Sequence, residues 1–377
     1  MKPIVRGERL RPGRQVGAGC LNRRFAGPFA TIAFTMDAPP VQYVTTSDGY
    51  DVAYAVSAEG VPLVFMPPVV SHIQLFWTTQ SFIRPWVEQL AERFQLVQYD
   101  GAGQGMSSRG LTPEYSLVTL DNALEAVVNR LRLERFVLLG ATAPGHAAVR
   151  YAIAHPEHVR ALVLCCCSVS GRMWPVINAT SLARQNWDLF PGVYMAAMRA
   201  PTPGLRQQEI ENFTQSVTQQ DWLTMASVWA TSDISDEISS LRTPTLILHP
   251  RQYENMAQQE SIRTAARIDG ARIVLIDGTF EYGDAEQGVR AIEAFLASLP
   301  AESIPRASGD DPRLNGLSPR EIEVLRLVAT GKSNQQIANE LVISLFTVNR
   351  HVSNIFTKTS AANRADATSY AHRHGIV

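Results

Sequence analysis

Asparagine and arginine side chains suited to hydrogen bonding with DNA bases stand together near the C-terminal end of the chain. At about 100° per residue, Asn349, Arg350 and Ser353 share one face of a helix. The opposite face is aliphatic and consists of Val348, Val352 and Ile355. Arginine pairs with guanine O6 and N7, and asparagine with adenine N6 and N7, so this face has base-reading chemistry. Side chains suited to phosphate contacts accompany it; they are Lys332, Thr347 and Lys358.

The surrounding sequence predicts three helices that would hold these side chains. Ser318-Pro319-Arg320-Glu321 is a capping box with proline at the first helical position, and Gly331 ends the helix that follows. Ser333 and Gln336 form a second capping box before a short helix, and Ser344 begins a longer third one. Two short helices joined by a tight turn, the second longer, form a helix-turn-helix. Because caps and turn spacing agree, an ordinary solvated helix face is the weaker interpretation.

The last 61 residues resemble the LuxR-type DNA-binding domain. The matching motifs are Leu317-Ser318-Pro319-Arg320-Glu321, Glu323-Val324-Leu325, Gly331-Lys332-Ser333-Asn334, Ile337-Ala338, Thr347-Val348, His351-Val352, and Ile355 with Lys358. The resemblance implies operator DNA as partner, with Ser333 and Asn334 joining the DNA contacts. It also implies a homodimer formed through the last helix, residues 364–374, with Ala367, Tyr370 and Ala371 as contact candidates. The family usually has lysine where Asn349 stands, so its base preference is not carried over.

From about residue 41, short apolar β-rich runs alternate with amphipathic helical segments. The predicted strands are 42–46, 51–56, 63–66, 94–99, 136–140, 161–167, 243–249 and 272–276. The predicted helices are 86–94, 120–133, 146–154, 261–268 and 289–299. Ser47-Asp48-Gly49 predicts a hairpin between the first two strands. This rhythm is typical of an α/β fold with a mostly parallel sheet covered on both faces.

Residues 168–242 interrupt the rhythm and predict a helical lid over the carboxyl edge of the sheet. The segment is rich in methionine and aromatic residues, most of which would form the core of the lid. The others would face a crevice, where ligands of open α/β sheets bind. Residues 300–316 contain three prolines and two glycines and predict a linker. The expected domains are therefore 36–299 and 317–377.

Residues 41–299 resemble the α/β-hydrolase fold. The motifs that carry the resemblance are the run from Tyr99 to Ser107, the run from His155 to Leu164, and Pro244-Thr245-Leu246-Ile247-Leu248-His249. Gly140-Ala141-Thr142-Ala143-Pro144 stands where that family has its G-x-S-x-G nucleophile elbow. Val70-Ser71-His72 with Trp77 also resembles hydrolase-like sensor domains fused to signalling outputs.

The positions that carry catalysis in that family are altered here. Thr142 replaces the serine nucleophile, and an elbow would force this β-branched residue to positive φ. Arg251-Gln252-Tyr253 follow the strand that normally leads to the triad acid, with Glu254 slightly late. The segment from Ile276 to Glu281 contains no histidine, and none occurs between His249 and His351. Pro68, which has no N–H to donate, lies in the expected oxyanion loop.

The sequence therefore predicts a regulator without catalytic residues, whose hydrolase-like domain binds a small apolar signal. The candidate ligand contacts are Val69, His72, Thr142, Ala143, Trp174, Trp187, Tyr194, Gln252, Tyr253 and Phe280. Two alternatives stay open. One is an active esterase fused to a DNA-binding domain, and the other is a ligand-free regulator that uses the hydrolase fold for dimerisation. RNA polymerase is a further candidate partner.

Composition supports a globular protein in the cytoplasm. The 377 residues are 45% apolar and 18% charged, and no run of 18 apolar residues indicates a membrane span. Four cysteines, three of them consecutive, indicate reduced thiols, and the histidines lack ligand spacing, so no metal or cofactor is expected. Residues 1–35 hold seven basic residues and one acidic residue and are interpreted as a disordered upstream extension. Residues 317–377 hold seven basic and four acidic residues, a basic module joined to an acidic body.

Overall fold

The computed structural model describes residues 37–170, 180–197, 202–253, 256, 258–300, 317, 319–341, 345–359 and 361–377. The predicted extension, 1–35, and nearly all of the predicted linker, 300–316, lie outside these ranges. Among the described helices, none combines the length and apolar character that crossing a membrane requires.

One eight-stranded sheet organises the first part of the chain. Its strands are β1 (Val41–Thr45), β2 (Asp51–Ser57), β3 (Pro62–Phe65), β4 (Gln95–Tyr99), β5 (Phe136–Ala141), β6 (Val159–Cys165), β7 (Thr245–Pro250) and β8 (Arg272–Ile276). Their order is β1-β2-β4-β3-β5-β6-β7-β8. β2 runs antiparallel to β1 and β4, and every other neighbouring pair is parallel. The mostly parallel α/β sheet is thus confirmed.

Helices between the strands cover the sheet and bury its apolar side chains. They are α1 (Ile73–Thr78), α2 (Arg84–Ala91), α3 (Leu117–Leu131), α4 (Gly145–Ala154), α9 (Gln258–Ala265) and α10 (Ala285–Ser298). α2 packs on α10 so closely that a Cβ on Gly288 would lie 2.2 Å from the Trp86 ring. All six residues of β5 are buried, which explains its uninterrupted apolar sequence.

The insertion after β6 is helical, as the sequence predicted. It contains α5 (Thr180–Gln185), α6 (Phe190–Ala197), α7 (Pro203–Ser216) and α8 (Gln219–Thr231). Its aromatic residues form their own cluster, in which Phe190, Phe213 and Trp222 contact one another at ring-centroid distances of 5.4–5.9 Å. Ala143 and Tyr253, from the loops at the carboxyl edge of the sheet, pack into the same cluster. The lid therefore fills part of the expected crevice with its own core.

Four helices form the C-terminal module: α11 (Pro319–Ala329), α12 (Asn334–Leu341), α13 (Leu345–Thr359) and α14 (Arg364–Arg373). The predicted second capping box is present, because Ser333 N–H donates to Gln336 Oε1 at 2.8 Å and Gln336 N–H donates to Ser333 Oγ at 3.3 Å. Val348, Val352 and Ile355 are buried in the module's core, as their spacing predicted. Ser318 and Ser344 lie outside the described residues.

One prediction for this module is wrong. Ala367, Tyr370 and Ala371 were expected to contact a second copy of the chain, but they are 0%, 4% and 0% exposed. They pack inside the module's own core, together with Leu325 and Val328 of α11. The small and aromatic residues of α14 therefore stabilise the four-helix module itself and are not available to a partner.

Candidate functional site

Thr142 occupies a strained turn between β5 and α4. Its φ is +52°, a conformation that costs free energy in a β-branched residue. Its N–H donates to the carbonyl of Cys165 at 2.9 Å, and its side chain is buried, with the residue 2% exposed. The Thr142 hydroxyl has no hydrogen-bond partner among the described residues. The elbow geometry is thus present, and no described residue accepts a hydrogen bond from the Thr142 hydroxyl.

The buried histidines near this edge of the sheet are engaged elsewhere. His146 contacts Ser232 Oγ through Nδ1 at 2.8 Å and the Ser168 carbonyl through Nε2 at 2.7 Å. His249 Nδ1 lies 3.0 Å from Ser261 Oγ and 3.7 Å from Cys166 Sγ. Burial lowers the pKa of both imidazoles and raises that of the Cys166 thiol, which favours the neutral forms. Neither histidine is hydrogen-bonded to the Thr142 hydroxyl.

Asp100, at the end of β4, holds the loop that follows β3. It accepts hydrogen bonds from the Ser71 hydroxyl, from Ile73 N–H at 3.0 Å and from Met106 N–H at 2.9 Å. Burial raises the pKa of Asp100 to about 6, although these hydrogen bonds oppose the shift. A Cβ on Gly105 would lie 2.0 Å from Asp100 Oδ2, so only glycine fits there. The predicted ligand residue His72 caps α1, where its Nδ1 accepts from Leu75 N–H at 3.4 Å.

Loops after β7 and β8 meet where the resemblance places the triad acid and base. The Tyr253 hydroxyl donates to Glu281 Oε2 at 3.4 Å, and both residues are buried. Gln252 is exposed, and its Oε1 accepts from Gly278 N–H at 2.6 Å, which ties the two loops together. Among the described residues, no histidine takes part in this junction. The carboxyl of Glu281 stands there instead.

A cavity of about 60 Å³ lies beneath the lid. Its walls come from the loop after β3, from α1, from the segment between α1 and α2, from lid helices α6 and α7, and from the loop after β8. Three predicted ligand residues line it: Val69, Tyr194 and Phe280. Among the other lining residues are two acids that were not among the predicted ligand contacts, Glu209 and Glu281. Burial raises the pKa of each of these carboxyls to about 7.

The other predicted ligand residues are placed differently. Thr142, Ala143, His72, Gln252 and Tyr253 do not line this cavity. Trp187 stacks on Phe190, with ring centroids 5.7 Å apart, inside the lid cluster. Trp174 lies outside the described residues. A smaller cavity of about 10 Å³, near Pro144 and Trp229, has room for about one water molecule.

The predicted DNA-reading face of α13 is joined to the start of α12. Asn334 Nδ2 donates to Asn349 Oδ1 at 2.7 Å, and Asn349 is exposed. Arg364 of α14 donates to Asn334 Oδ1 at 2.8 Å and to the Lys332 carbonyl. Ser353 is exposed, and Lys332 pairs with Glu340. The side chains of Thr347 and Arg350 lie outside the described residues.

Lys358, predicted to contact phosphate, has a partner within the module. Its Nζ lies 2.8 Å from Glu321 Oε2, and Glu321 is 3% exposed. A buried carboxylate is costly without a cation, so Lys358 compensates the charge of Glu321. The Lys358 side chain is itself exposed, so the ion pair joins α13 to α11 at the surface of the module.

A family model for the alpha/beta hydrolase fold matches residues 67–265, just over half of the chain. The chain belongs to the alpha/beta hydrolase fold family. The model of the bacterial regulatory proteins of the luxR family matches residues 315–371. The four-helix module is therefore a LuxR-type DNA-binding domain fused to an alpha/beta hydrolase domain.

Individual relatives match one domain or the other. The transcriptional regulatory protein LiaR of Bacillus subtilis (strain 168) is 44% identical over 93 residues, which cover 25% of this chain and 44% of LiaR. The putative carbamate hydrolase RutD of Caulobacter sp. (strain K31) is 25% identical over 236 residues, 58% of this chain and 84% of RutD. A hydrolase structure from Pseudomonas aeruginosa PA01 aligns with a TM-score of 0.58 at 20% identity, covering 70% of this chain and all of that one. This last likeness shows the fold alone.

The sequence predicted the turn at Thr142 and the loops after β7 and β8. It did not indicate Glu209 and Glu281 as residues of the cavity wall. Glu281 was noted only as part of a segment without histidine, and Glu209 lies on lid helix α7. The signal available for Glu281 was its position after β8, where the family has a titratable group. Among the described residues, no group of three histidine, cysteine or acidic residues is arranged to hold a metal ion.

Proposed function

We propose that this chain is a transcription regulator whose alpha/beta hydrolase domain senses a small molecule without turning it over. The observation that carries the proposal is the state of Thr142. The residue keeps the strained elbow conformation, while its buried hydroxyl has no hydrogen-bond partner among the described residues. Nucleophilic catalysis by a hydroxyl needs an adjacent base within about 2.6–3.2 Å.

Rate arguments favour the silent site. Removing triad members from a serine hydrolase leaves about 10³–10⁴-fold catalysis over water, which comes from binding and the oxyanion hole. In this chain the nucleophile, acid and base positions are all altered, and Pro67-Pro68 occupy the oxyanion loop. What persists is a cavity beneath a lid, which suits binding. Val69, Tyr194, Phe280 and the aromatic lid residues support a mostly apolar signal.

In this proposal, binding of the signal changes how two copies of the LuxR-type domain are presented to DNA. A homodimer would read two half-sites about 34–36 Å apart, one helical turn of DNA. The seven basic and four acidic residues of 317–377 give each copy a modest positive charge, so two copies would bind more tightly than one. A full switch from 1:99 to 99:1 needs about 5.5 kcal/mol of differential signal affinity. The regulator would act in the cytoplasm on operator DNA, with RNA polymerase as a further partner.

An active hydrolase is the second candidate, favoured by the likeness to the putative carbamate hydrolase RutD over most of that protein's length. A hydrolysis assay with p-nitrophenyl butyrate separates the two. We expect the wild-type chain and Thr142→Ala to hydrolyse the ester at the same background rate. Cleavage by the wild type that Thr142→Ala abolishes and Thr142→Ser increases would establish the hydrolase instead.

A regulator that binds no signal is the remaining alternative. Thermal denaturation of the full chain in the presence of a small-molecule library tests it, with operator DNA binding measured in parallel. We expect some compounds to raise the melting temperature of the hydrolase domain and to change DNA affinity. Tight operator binding together with no stabilising compound would support the ligand-free regulator.

A further inference from the structure

The cavity beneath the lid combines aromatic walls with two buried carboxyl groups. Phe82 and Phe280 stack face to face with ring centroids 4.4 Å apart, and both line the cavity. Phe76 and Tyr194 add further aromatic surface. Glu209 and Glu281 are 8% and 6% exposed and are the titratable acids of the wall. The described lining contains no lysine, arginine or histidine.

The carboxyl groups have fewer partners than buried carboxyls ordinarily have. Glu209 Oε1 accepts from Phe82 N–H at 2.6 Å, and its Oε2 accepts from Asn212 Nδ2 at 3.4 Å. Glu281 Oε2 accepts only the 3.4 Å hydrogen bond from Tyr253, and its Oε1 has no hydrogen bond to a described residue. Neither carboxyl forms an ion pair within the described part of the chain. Buried acids are normally paired with a cation, because an unpaired buried charge is costly.

We propose that this cavity binds a small amphipathic cation, an alkyl- or arylammonium compound, between Glu209 and Glu281. The ammonium group would supply the missing charge and donate to the free oxygen of Glu281. The body of the ligand would lie against the Phe82–Phe280 stack, whose ring faces attract a cation. The cavity's volume of about 60 Å³ restricts the ligand to a few heavy atoms, unless the lid moves.

This inference rests on the proposed sensing function, because it names the chemical class of the signal. It also explains why burying an ammonium group there need not be prohibitive. The cost of removing two charges from water is repaid only where hydrogen bonds satisfy both ions. The hydrogen bonds from Phe82, Asn212 and Tyr253 already hold the carboxyl oxygens in place.

The test compares three probes of equal length on the full chain. n-Butylammonium chloride, n-butanol and sodium butyrate are titrated by calorimetry at pH 8, at equal ionic strength. At that pH the carboxyls, with pKa values of about 7, are mostly ionised, and the amine is protonated. We expect butylammonium to bind at least tenfold more tightly than butanol, and butyrate not to bind.

Substitutions identify the site. Glu281→Gln and Glu209→Gln each remove one charge with little change in shape, and we expect at least a tenfold loss of butylammonium affinity with butanol unaffected. Glu211→Gln is the matched control, because Glu211 lies on the same helix as Glu209 but is exposed. Circular dichroism verifies that each variant is folded.

Three results would overturn the inference. Equal binding of butylammonium and butanol would leave a small-molecule sensor standing but remove its preference for cations. Loss of butylammonium binding in Glu211→Gln as large as in Glu281→Gln would show a diffuse surface attraction. Failure of all three probes to bind, with no stabilising compound in the wider library, would overturn the inference and the sensing function together.

Discussion

The hydroxyl of Tyr253 donates to the carboxyl of Glu281 at 3.4 Å, joining the loop after β7 to the loop after β8. In an alpha/beta hydrolase with a triad, these two loops supply the acid and the histidine. Here a phenol and a carboxyl meet, and neither is hydrogen-bonded to the Thr142 hydroxyl. The junction occupies the position where the family has the acid and the histidine, and it places the carboxyl of Glu281 on the cavity wall.

The strain at Thr142 predicts an unusual order of stability among its variants. Thr142→Gly relieves the positive φ, whereas Thr142→Ala retains it. We expect the glycine variant to be more stable than the alanine variant by about 1 kcal/mol in free energy of unfolding. Urea denaturation followed by tryptophan fluorescence measures this difference. All six tryptophans lie before residue 230, so their fluorescence reports the unfolding of the hydrolase domain and not of the LuxR-type domain. An alanine variant at least as stable as the glycine variant would contradict the strain.

We expect substitution of Gly105 to cause a steric clash, and Gly110 provides a control without such a clash. Gly105→Ala would drive a methyl group into Asp100, whose hydrogen bonds to Ser71, Ile73 and Met106 prevent it from moving aside. Gly110 also has a positive φ, +81°, but a Cβ there meets nothing within 4 Å. We expect Gly110→Ala to cost about 1 kcal/mol and Gly105→Ala about 1–3 kcal/mol more. Equal costs would show that backbone strain alone matters at both positions.

The raised pKa of Glu281 predicts that its contribution to the stability of the hydrolase domain is lost as the pH rises. The pKa of Glu281 is about 7 in the folded chain and near 4.5 in the absence of burial, so the folded state binds more protons. The stabilisation is complete below about pH 4.5 and is lost as the pH rises through about 7. Each unit of pKa difference is worth about 1.4 kcal/mol.

Glu281→Gln should remove this contribution, and Glu211→Gln should leave the pH dependence of stability unchanged. The raised pKa values of Glu209, Asp100 and Asp121 act in the same direction as that of Glu281, and the lowered pKa values of the buried and half-buried histidines act in the opposite direction. The difference between the wild type and Glu281→Gln therefore isolates the contribution of Glu281. Urea denaturation at several pH values between 5 and 8 gives the comparison. Parallel curves for the wild type and Glu281→Gln would contradict the raised pKa.

Arg350 is expected to read a base. Arg350→Ala should weaken operator binding by about 1–3 kcal/mol while binding to random DNA weakens less. Fluorescence anisotropy with operator and scrambled duplexes at equal salt measures both affinities. Equal losses on the two duplexes would assign Arg350 to the phosphate backbone.

Lys358 is expected to act on folding more than on DNA. Because its ammonium group compensates the buried Glu321, Lys358→Met should lower the melting temperature of the LuxR-type domain. At a temperature where the variant is folded, the dependence of DNA affinity on salt should match that of the wild type. If the salt dependence of the variant is instead weaker than that of the wild type by about one phosphate contact, Lys358 contacts the DNA backbone.

Local sequence predicted the elements well, because their causes are local. The apolar run of β5, the turn at Thr142 and the capping box of Ser333 and Gln336 each lie within a few residues of their determinants. Glu209 and Glu281 are 72 positions apart in sequence, and only the folding of the lid over the loop after β8 buries them. Side-chain partners of that kind depend on tertiary contacts that no local pattern encodes.

The same reason explains the error at α14. The helix itself was expected at its observed place, but which face it buries depends on α11. Tyr370 and its alanine neighbours pack into the module, so a contact between two copies would have to use other residues of α14. The ion pair of Lys358 could not be predicted for the same reason, because Glu321 lies 37 positions before it.

Three consecutive thiols, Cys165, Cys166 and Cys167, are fully buried at the end of β6, and burial raises the pKa of each. An alkylating reagent reaches such thiols only when the sheet opens, and it reacts with the thiolate form. With Cys20 replaced, the rate of iodoacetamide labelling would therefore time the opening of the hydrolase domain. A bound signal that stabilises the hydrolase domain would lower this labelling rate. Binding could therefore be detected from the chain's own cysteines, without an added dye.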